Sequence, residues 1–384
     1  MKATIELPAL LAALRVISPA LARTNPVRMA ACGWAARDGL ITLRAASLDW
    51  DAQYAVPAEV AAAGEAWMPA DLVRALPWGH FADAVQLRAT GRELEIRSGG
   101  LAYALPVLDP DTVTALAPAL APCAEAPGSA LARTLLLGAS AAHRTQAADD
   151  ATPPSGDPER EGVWLEAGSS RLAVSSTDRV RVATAATAIT GEVRFRTALP
   201  LHAAVALARA AASADTVTLL RARREPSPVF TVIAGAATVT VRTLAALPPD
   251  PAGVDLDAER AATTLRAHGG DVVSALRSAL AVASTDPHTA VPLRTRRSHL
   301  ELAVAGPGGR ASASVPLRHA AGPEADTVLP GRALLAALAP LRDAEVTLGL
   351  GDPSRPALLA ATDGDVAYHG LVAARARARE HAIA

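Results

Sequence analysis

Lysine is almost missing from this chain: Lys2 is the only one, and every other basic residue is arginine or histidine. Cysteine is nearly as scarce. Cys32 and Cys123 stand alone without metal-ligand spacing, which argues against a disulfide framework and sets a reducing cytosol as the expected compartment. Aromatic residues make up 3% of the chain, so any core must be built mainly from Leu, Val and Ala. No uncharged apolar run approaches the roughly 18 residues of a membrane span, so no membrane partner is expected. The opening Met1-Lys2-Ala3-Thr4-Ile5-Glu6 places an acid where a signal peptide needs an apolar run. Catalytic signatures are also missing. Histidines at 80, 143, 202, 268, 288, 299, 319, 369 and 381 form no i,i+4 pair around a carboxylate, which leaves a zinc hydrolase unsupported. Gly-x-Ser-x-Gly and the Walker phosphate loop do not occur. Gly306-Pro307-Gly308-Gly309 reads as a hairpin turn between strands, and Ser175-Ser176-Thr177-Asp178 has no histidine nearby to activate a nucleophile. The expectation is therefore no enzyme, no metal and no cofactor.

What is present is a threefold repeat. A proline opens a short apolar helix, and about sixteen residues later comes a period-2 strand centred on a valine. The copies are Met68-Pro69-Ala70-Asp71-Leu72-Val73-Arg74 leading to Val85-Gln86-Leu87, Leu199-Pro200-Leu201 leading to Val217-Thr218-Leu219, and Leu329-Pro330-Gly331-Arg332-Ala333-Leu334-Leu335 leading to Val346-Thr347-Leu348. The prolines lie about 130 residues apart, far beyond a solenoid unit of roughly 20–50 residues, so the repeat reads as a triplicated domain. With 384 residues this gives three domains, 1–124, 125–252 and 253–384. A hydrophobic content of 51% with 20% charged residues is that of a globular chain. A net charge of −1 excludes a uniformly basic nucleic-acid binder, but not one with its basic residues gathered on one surface.

Each domain is expected to hold two helices and several strands, an α+β composition. Residues 5–7 read as an edge-like strand, and Pro8 opens a helix with Leu10, Leu11, Leu14 and Ile17 on one stripe and Arg15 off it. Residues 116–127, rich in Ala and Pro, read as the first linker. A helix over 131–143 precedes a polar loop over 146–162 that carries Asp149, Asp150, Asp157, Glu159 and Glu161. Val272, Val273, Leu276 and Leu280 form the first helix stripe of the third domain, and Arg375, Arg377 and Arg379 end the chain in a basic tail. Arg15, Arg74, Arg133, Arg144, Arg209, Arg277 and Arg332 fall on or at the ends of the six predicted helices. These are either ordinary solvated faces or, if the faces point one way, a surface for sequence-independent phosphate contacts.

The triplication, the two helices per unit and Thr177-Asp178-Arg179-Val180-Arg181-Val182-Ala183 resemble the bacterial DNA polymerase III beta subunit, the processivity sliding clamp. Met1-Lys2-Ala3-Thr4-Ile5 with its Leu-rich helix, and Ser98-Gly99-Gly100-Leu101-Ala102-Tyr103, are similar to that family's N-terminus and to the end of its first domain. The resemblance covers essentially the whole chain. It implies three tandem clamp-type domains, each with two helices packed on antiparallel sheets. These form half of a six-domain homodimeric ring whose helices face double-stranded DNA. Arg23 matches a position that approaches DNA, and joins Arg15, Arg74, Arg133, Arg144, Arg209 and Arg277 as the implied DNA-facing set. Ring closure is implied at Tyr103 on one side and Leu280, Val282 and Ala283 on the other. The family also carries a pocket for linear motifs of polymerases and loaders, which maps onto Thr177, Asp178, Arg179, Val180, Arg181, Val182, Pro249, Val254, Leu329, Arg332, Leu371 and Val372.

Departures gather at that pocket. Arg179-Val180 stands where the family usually has Gly-His, and Leu371-Val372-Ala373-Ala374-Arg375 replaces its Met-Pro-x-Arg-Leu ending. Two functions follow as expectations. One is a replicative clamp that tethers a polymerase. The other is a clamp-like paralogue that acts as a binding module or as a self-resistance protein against a clamp-directed peptide or small molecule.

Overall fold

The computed structural model describes residues 1–21, 31–47, 49–112, 120–142, 162–168, 170–191, 193–222, 229–244, 255–283 and 289–374. Two compact units emerge. Met1–Ala132, Ile189–Val193 and His202–Ala245 form the first, and Arg133–Ala188, Arg194–Leu201 and Ala246–Ala384 the second. Both combine helices with antiparallel sheets, the α+β class read from the sequence.

The first unit holds a five-stranded sheet in the order Glu59–Ala62, Lys2–Glu6, Ala84–Ala89, Glu93–Ser98, Leu101–Pro106. Its eight-stranded sheet runs Leu120–Pro127, Thr216–Ala222, Val229–Ala234, Ala237–Arg242, Trp50–Pro57, Leu40–Ala46, Ala31–Arg37, Gly64–Pro69. The second unit holds a nine-stranded sheet in the order Phe195–Pro200, Gly162–Gly168, Arg171–Thr177, Arg181–Ala188, Val366–Val372, Ala357–Asp363, Glu345–Leu350, Thr263–His268, His319–Ala321. Its four-stranded sheet runs Gly309–Pro316, His299–Gly306, Ala290–Thr295, Asp326–Pro330.

Six α-helices occur among the described residues: α1 (Leu7–Ile17), α2 (Ala70–Ala75), α3 (Gly128–Gly138), α4 (Leu201–Ala211), α5 (Gly269–Leu280) and α6 (Gly331–Leu338). All three copies of the repeat fold as strand, helix, strand: Gly64–Pro69, α2, Ala84–Ala89; Phe195–Pro200, α4, Thr216–Ala222; Asp326–Pro330, α6, Glu345–Leu350. The repeated proline ends the strand one position before the helix. Its ring fixes φ near the value that both extended and helical backbone tolerate, so it suits the corner.

The other three helices share a capping device. Glu6 before α1 and His268 before α5 make no side-chain cap. Instead the first residue of α1, α3 and α5 donates its backbone N–H to a carbonyl beyond the second helix of the same repeat. The pairs are Leu7 to Asp83 at 2.7 Å, Gly128 to Asp215 at 2.9 Å and Gly269 to Ala344 at 2.9 Å. An orphan helical donor is thereby satisfied from a distant segment. Close approach explains the glycines: an added Cβ would lie 1.9 Å from the Ala214 oxygen at Gly128, and 2.1 Å from the Leu341 oxygen at Gly269. In α1, Leu10, Leu14 and Ile17 are buried while Arg15 is exposed. In α5, Val272, Val273, Leu276 and Leu280 are buried and face the strands His299–Gly306 and Gly309–Pro316. Leu, Val and Ala dominate the buried hydrophobic residues, and only Trp34, Trp50, Tyr368 and Phe230 add large, fully buried rings.

Three local readings need correction. Lys2–Glu6 is an interior strand, paired with Glu59–Ala62 on one side and Ala84–Ala89 on the other, so it is no edge. The expected linker over 116–127 contains the strand Leu120–Pro127 at the border of its sheet. Proline is tolerated there because the outer side of this border strand is bridged at Glu125, by Thr190, and not at the prolines, and because the register shifts between Pro122 and Ala124. Ala31–Arg37, which alternation did not reveal, is a strand buried on nearly every residue. The polar loop up to residue 161, the prolines at 248, 249 and 251, and the basic tail lie outside the described residues.

Candidate nucleic-acid interface and partner pocket

The helix arginines do not all share one environment. Arg15, Arg74, Arg209 and Arg277 are exposed at the solvent side of their helices, and Arg332 is half-exposed. Four of them, Arg15, Arg74, Arg209 and Arg277, stand in the last turn, where a cation complements the negative end of the helix dipole. Arg74 lies 3.9 Å from Asp71, a loose exposed pair of little strength. Arg133 differs: its guanidinium pairs with Asp363 and donates to the Pro340 carbonyl at 2.7 Å, which ties α3 to two later segments of the second unit. Arg23 and Arg144 lie outside the described residues.

The Thr177–Ala183 motif forms a tight turn between the strands Arg171–Thr177 and Arg181–Ala188. Asp178 organises it. One carboxylate oxygen accepts the Val180 and Arg181 backbone N–H groups at 3.0 and 2.6 Å. The other accepts the Arg181 guanidinium at 2.9 and 2.7 Å. The Thr177 hydroxyl donates to the Arg181 carbonyl at 2.8 Å and accepts the Arg179 N–H at 3.1 Å. With its neighbours so held, Arg179 is left at φ 73°, in the left-handed region that disfavours a side chain, and it is exposed.

The turn meets the last strand. Val182 stands opposite Leu371 and Arg181 opposite Val372, and the Ala373 N–H donates to the Val180 carbonyl at 2.8 Å. Val182 and Leu371 share the half-exposed face of this sheet, while Val372 is buried. Helix α6, which carries Arg332, packs against both strands. Thr177, Asp178, Arg179, Val180, Arg181, Val182, Arg332, Leu371 and Val372 are thus brought together in one region of the second unit. Leu329 sits in the strand leading to α6 with no exposed surface. Pro249 and Val254 lie outside the described residues.

Tyr103 lies on Leu101–Pro106, the border strand of the five-stranded sheet, with Phe81 stacked on its ring at 5.8 Å. Leu280 ends α5 and is nearly buried, whereas Val282 and Ala283 are half-exposed. The Gly306–Gly309 hairpin closes as the sequence suggested, and the Gly308 N–H donates to the Val282 carbonyl at 3.1 Å. The serines before the turn are structural: Ser176 donates to the Gly138 carbonyl at 2.6 Å, and Ser175 shares a hydrogen bond with Thr184 at 3.0 Å. Among the described residues, no three His, Cys, Asp or Glu side chains gather as a metal site, and no helix is long and apolar enough to cross a membrane.

This architecture is that of the sliding clamps. A DNA polymerase III beta subunit from Thermotoga maritima superposes with a TM-score of 0.78 at 19% identity, over 98% of this chain and 99% of that one. A sliding clamp from Pseudomonas aeruginosa bound to griselimycin gives 0.77 at 19% identity, and one from Bacillus subtilis gives 0.77 at 18%, each over 98% of this chain and 99% of its own. No protein-family model and no curated protein sequence matches the chain. The chain therefore has the clamp fold over 98% of its length, at 18–19% identity to these structures.

Proposed function

We propose that this protein is a divergent DNA sliding clamp: a homodimeric ring of three-domain protomers (1–124, 125–252, 253–384) that encircles duplex DNA and tethers a polymerase. The observation that carries the reading is the clamp fold over 98% of the chain. Exposed Arg15, Arg74, Arg209 and Arg277 support it chemically, because a ring that holds DNA topologically needs only weak phosphate contacts. Closure is assigned to the border strand bearing Tyr103 on one protomer and the α5 end with Val282 and Ala283 on the other. The pocket around Val182, Leu371 and Arg332 is assigned to linear motifs of polymerase and loader proteins. A reducing cytosol fits two cysteines that are both free thiols.

The test is loading on closed circular DNA with a clamp loader. Retention on the circle and loss after linearisation are expected; equal retention on both forms would argue against a ring.

One observation favours a second reading, a clamp-like paralogue with an altered partner pocket. Arg179 places a guanidinium on a left-handed turn beside the Val182–Leu371 face, where it changes the charge offered to a ligand. One of the superposing clamps is bound to griselimycin, so a self-resistance role predicts that this protein binds griselimycin weakly. Titration of griselimycin and of a polymerase-motif peptide separates the two. Comparable affinity for both supports the working clamp, and loss of griselimycin binding alone supports the paralogue.

A further inference from the structure

The solvent face of the five-stranded sheet carries a groove of about 310 Å³ whose lining includes Lys2, Thr4, Gln86, Arg88, Glu95 and Arg97. Strand register sets the charges within it. Lys2 stands directly opposite Arg88, Gln86 lies between Thr4 and Arg97, and Arg88 faces Glu95 on its other side. Like charges directly opposed across two strands destabilise a sheet. The one carboxylate in the groove leans toward Arg97, at 3.5 Å. Lys2 and Arg88 make no ion pair among the described residues, and both are exposed. Other acids of this sheet, Glu6, Glu59 and Glu93, do not line the groove. It therefore holds three cations against one acid on a chain whose net charge is −1.

We propose that this groove binds a compact phosphorylated ligand, its phosphoryl oxygens lying between Lys2, Arg88 and Arg97. An anion there relieves the Lys2–Arg88 repulsion. The arginine forks match phosphoryl oxygens in pairs, and Thr4 and Gln86 add neutral donors. The volume sits at the lower end of those that hold small ligands, which suits two or more linked phosphoryl groups rather than a lone ion. No aromatic ring lines the groove to stack a base, so the anionic part is what it recognises.

Because Lys2 is the only lysine, its side chain carries the sole ε-amine, and fragmentation in the mass spectrometer separates its acylation from that of the Met1 α-amine. The full chain is acylated with an N-hydroxysuccinimide ester, and modification at Lys2 is read by mass spectrometry with pyrophosphate as the probe. Pyrophosphate is expected to slow acylation of Lys2 several-fold, and sodium chloride at matched ionic strength to have little effect. Arg88→Gln, an exposed change checked for folding by circular dichroism, is expected to weaken this protection about tenfold, the loss of one charge-assisted contact. Equal protection by chloride, or an Arg88→Gln protein protected as well as the parent, overturns the site. A single-stranded oligonucleotide that protects where pyrophosphate does not overturns the compact ligand in favour of phosphates along a strand.

Discussion

Arg179 and Asp38 are the only residues other than glycine that the chain holds at positive φ among those described, and Arg179 does so beside the candidate pocket. A left-handed conformation costs a side-chain-bearing residue about 1 kcal/mol. Arg179→Gly is therefore expected to raise stability by roughly 1 kcal/mol, read as a higher urea midpoint; an unchanged or lower midpoint would show that contacts of the guanidinium outweigh the strain. Cys32 gives a pH dependence. Burial pushes its thiol up to about 12, from an ordinary 9.0. Above pH 9 the unfolded chain loses this proton while the folded chain keeps it, so stability is full below that point and falls as pH rises toward 12. The slope approaches about 1.4 kcal/mol per pH unit, and buried Tyr368, also shifted upward by burial, adds to it at the alkaline end. Urea midpoints between pH 9 and 10.5 should drop less in Cys32→Ala than in the parent, and parallel slopes would remove Cys32 as a cause. At this scale the sequence identified the Thr177–Ala183 motif but not its conformation. The left-handed turn depends on which donors Thr177 and Asp178 accept, and that is settled only once both strands are in register.

Among the elements, α1, α3 and α5 start on backbone carbonyls delivered from beyond the second helix of each repeat. Gly269→Ala tests this joint, because a methyl group cannot fit 2.1 Å from the Leu341 oxygen. Overpacking of this kind costs about 1–3 kcal/mol, so a clear fall in the urea midpoint is expected; a midpoint within error of the parent would mean that the 339–344 segment yields freely. Helix stripes were legible because apolar spacing is local: Leu10, Leu14 and Ile17, or Val272, Leu276 and Leu280, fall on one face whatever they pack against. The strand Ala31–Arg37 was not, since Ala, Cys and Gly carry little strand preference and burial on both faces removes alternation. The strand Leu120–Pro127 was hidden by its prolines, which only a place at the sheet border permits.

For the whole molecule, the ring reading makes a graded forecast for the arginines. Each lost phosphate contact lowers the salt dependence of DNA binding by about 0.9 in log–log slope. Arg15→Ala with Arg277→Ala should therefore flatten the slope. Arg133→Ala should leave it nearly unchanged, because that guanidinium is committed to Asp363 and Pro340, and should instead cost about 1 kcal/mol or less of stability for a half-exposed pair. A flattened slope in Arg133→Ala would place it on the DNA after all. Light scattering adds the assembly test: a dimer is expected at micromolar concentration, and a strict monomer would count heavily against a ring.

The sequence by itself determined the threefold repeat, the six helices found among the described residues and the Leu, Val and Ala core, because all three follow from local spacing and composition. It also listed the arginines that an anion would meet. Only the tertiary structure decided which of them are available, that Arg133 is tied down while Arg15 and Arg277 stand in solvent. It alone brought the 177–182 turn against Leu371, nearly two hundred residues away, and set Lys2 against Arg88. Those neighbours are chosen by strand register across distant segments, and register is a property of the packed sheets that no local pattern of residues contains.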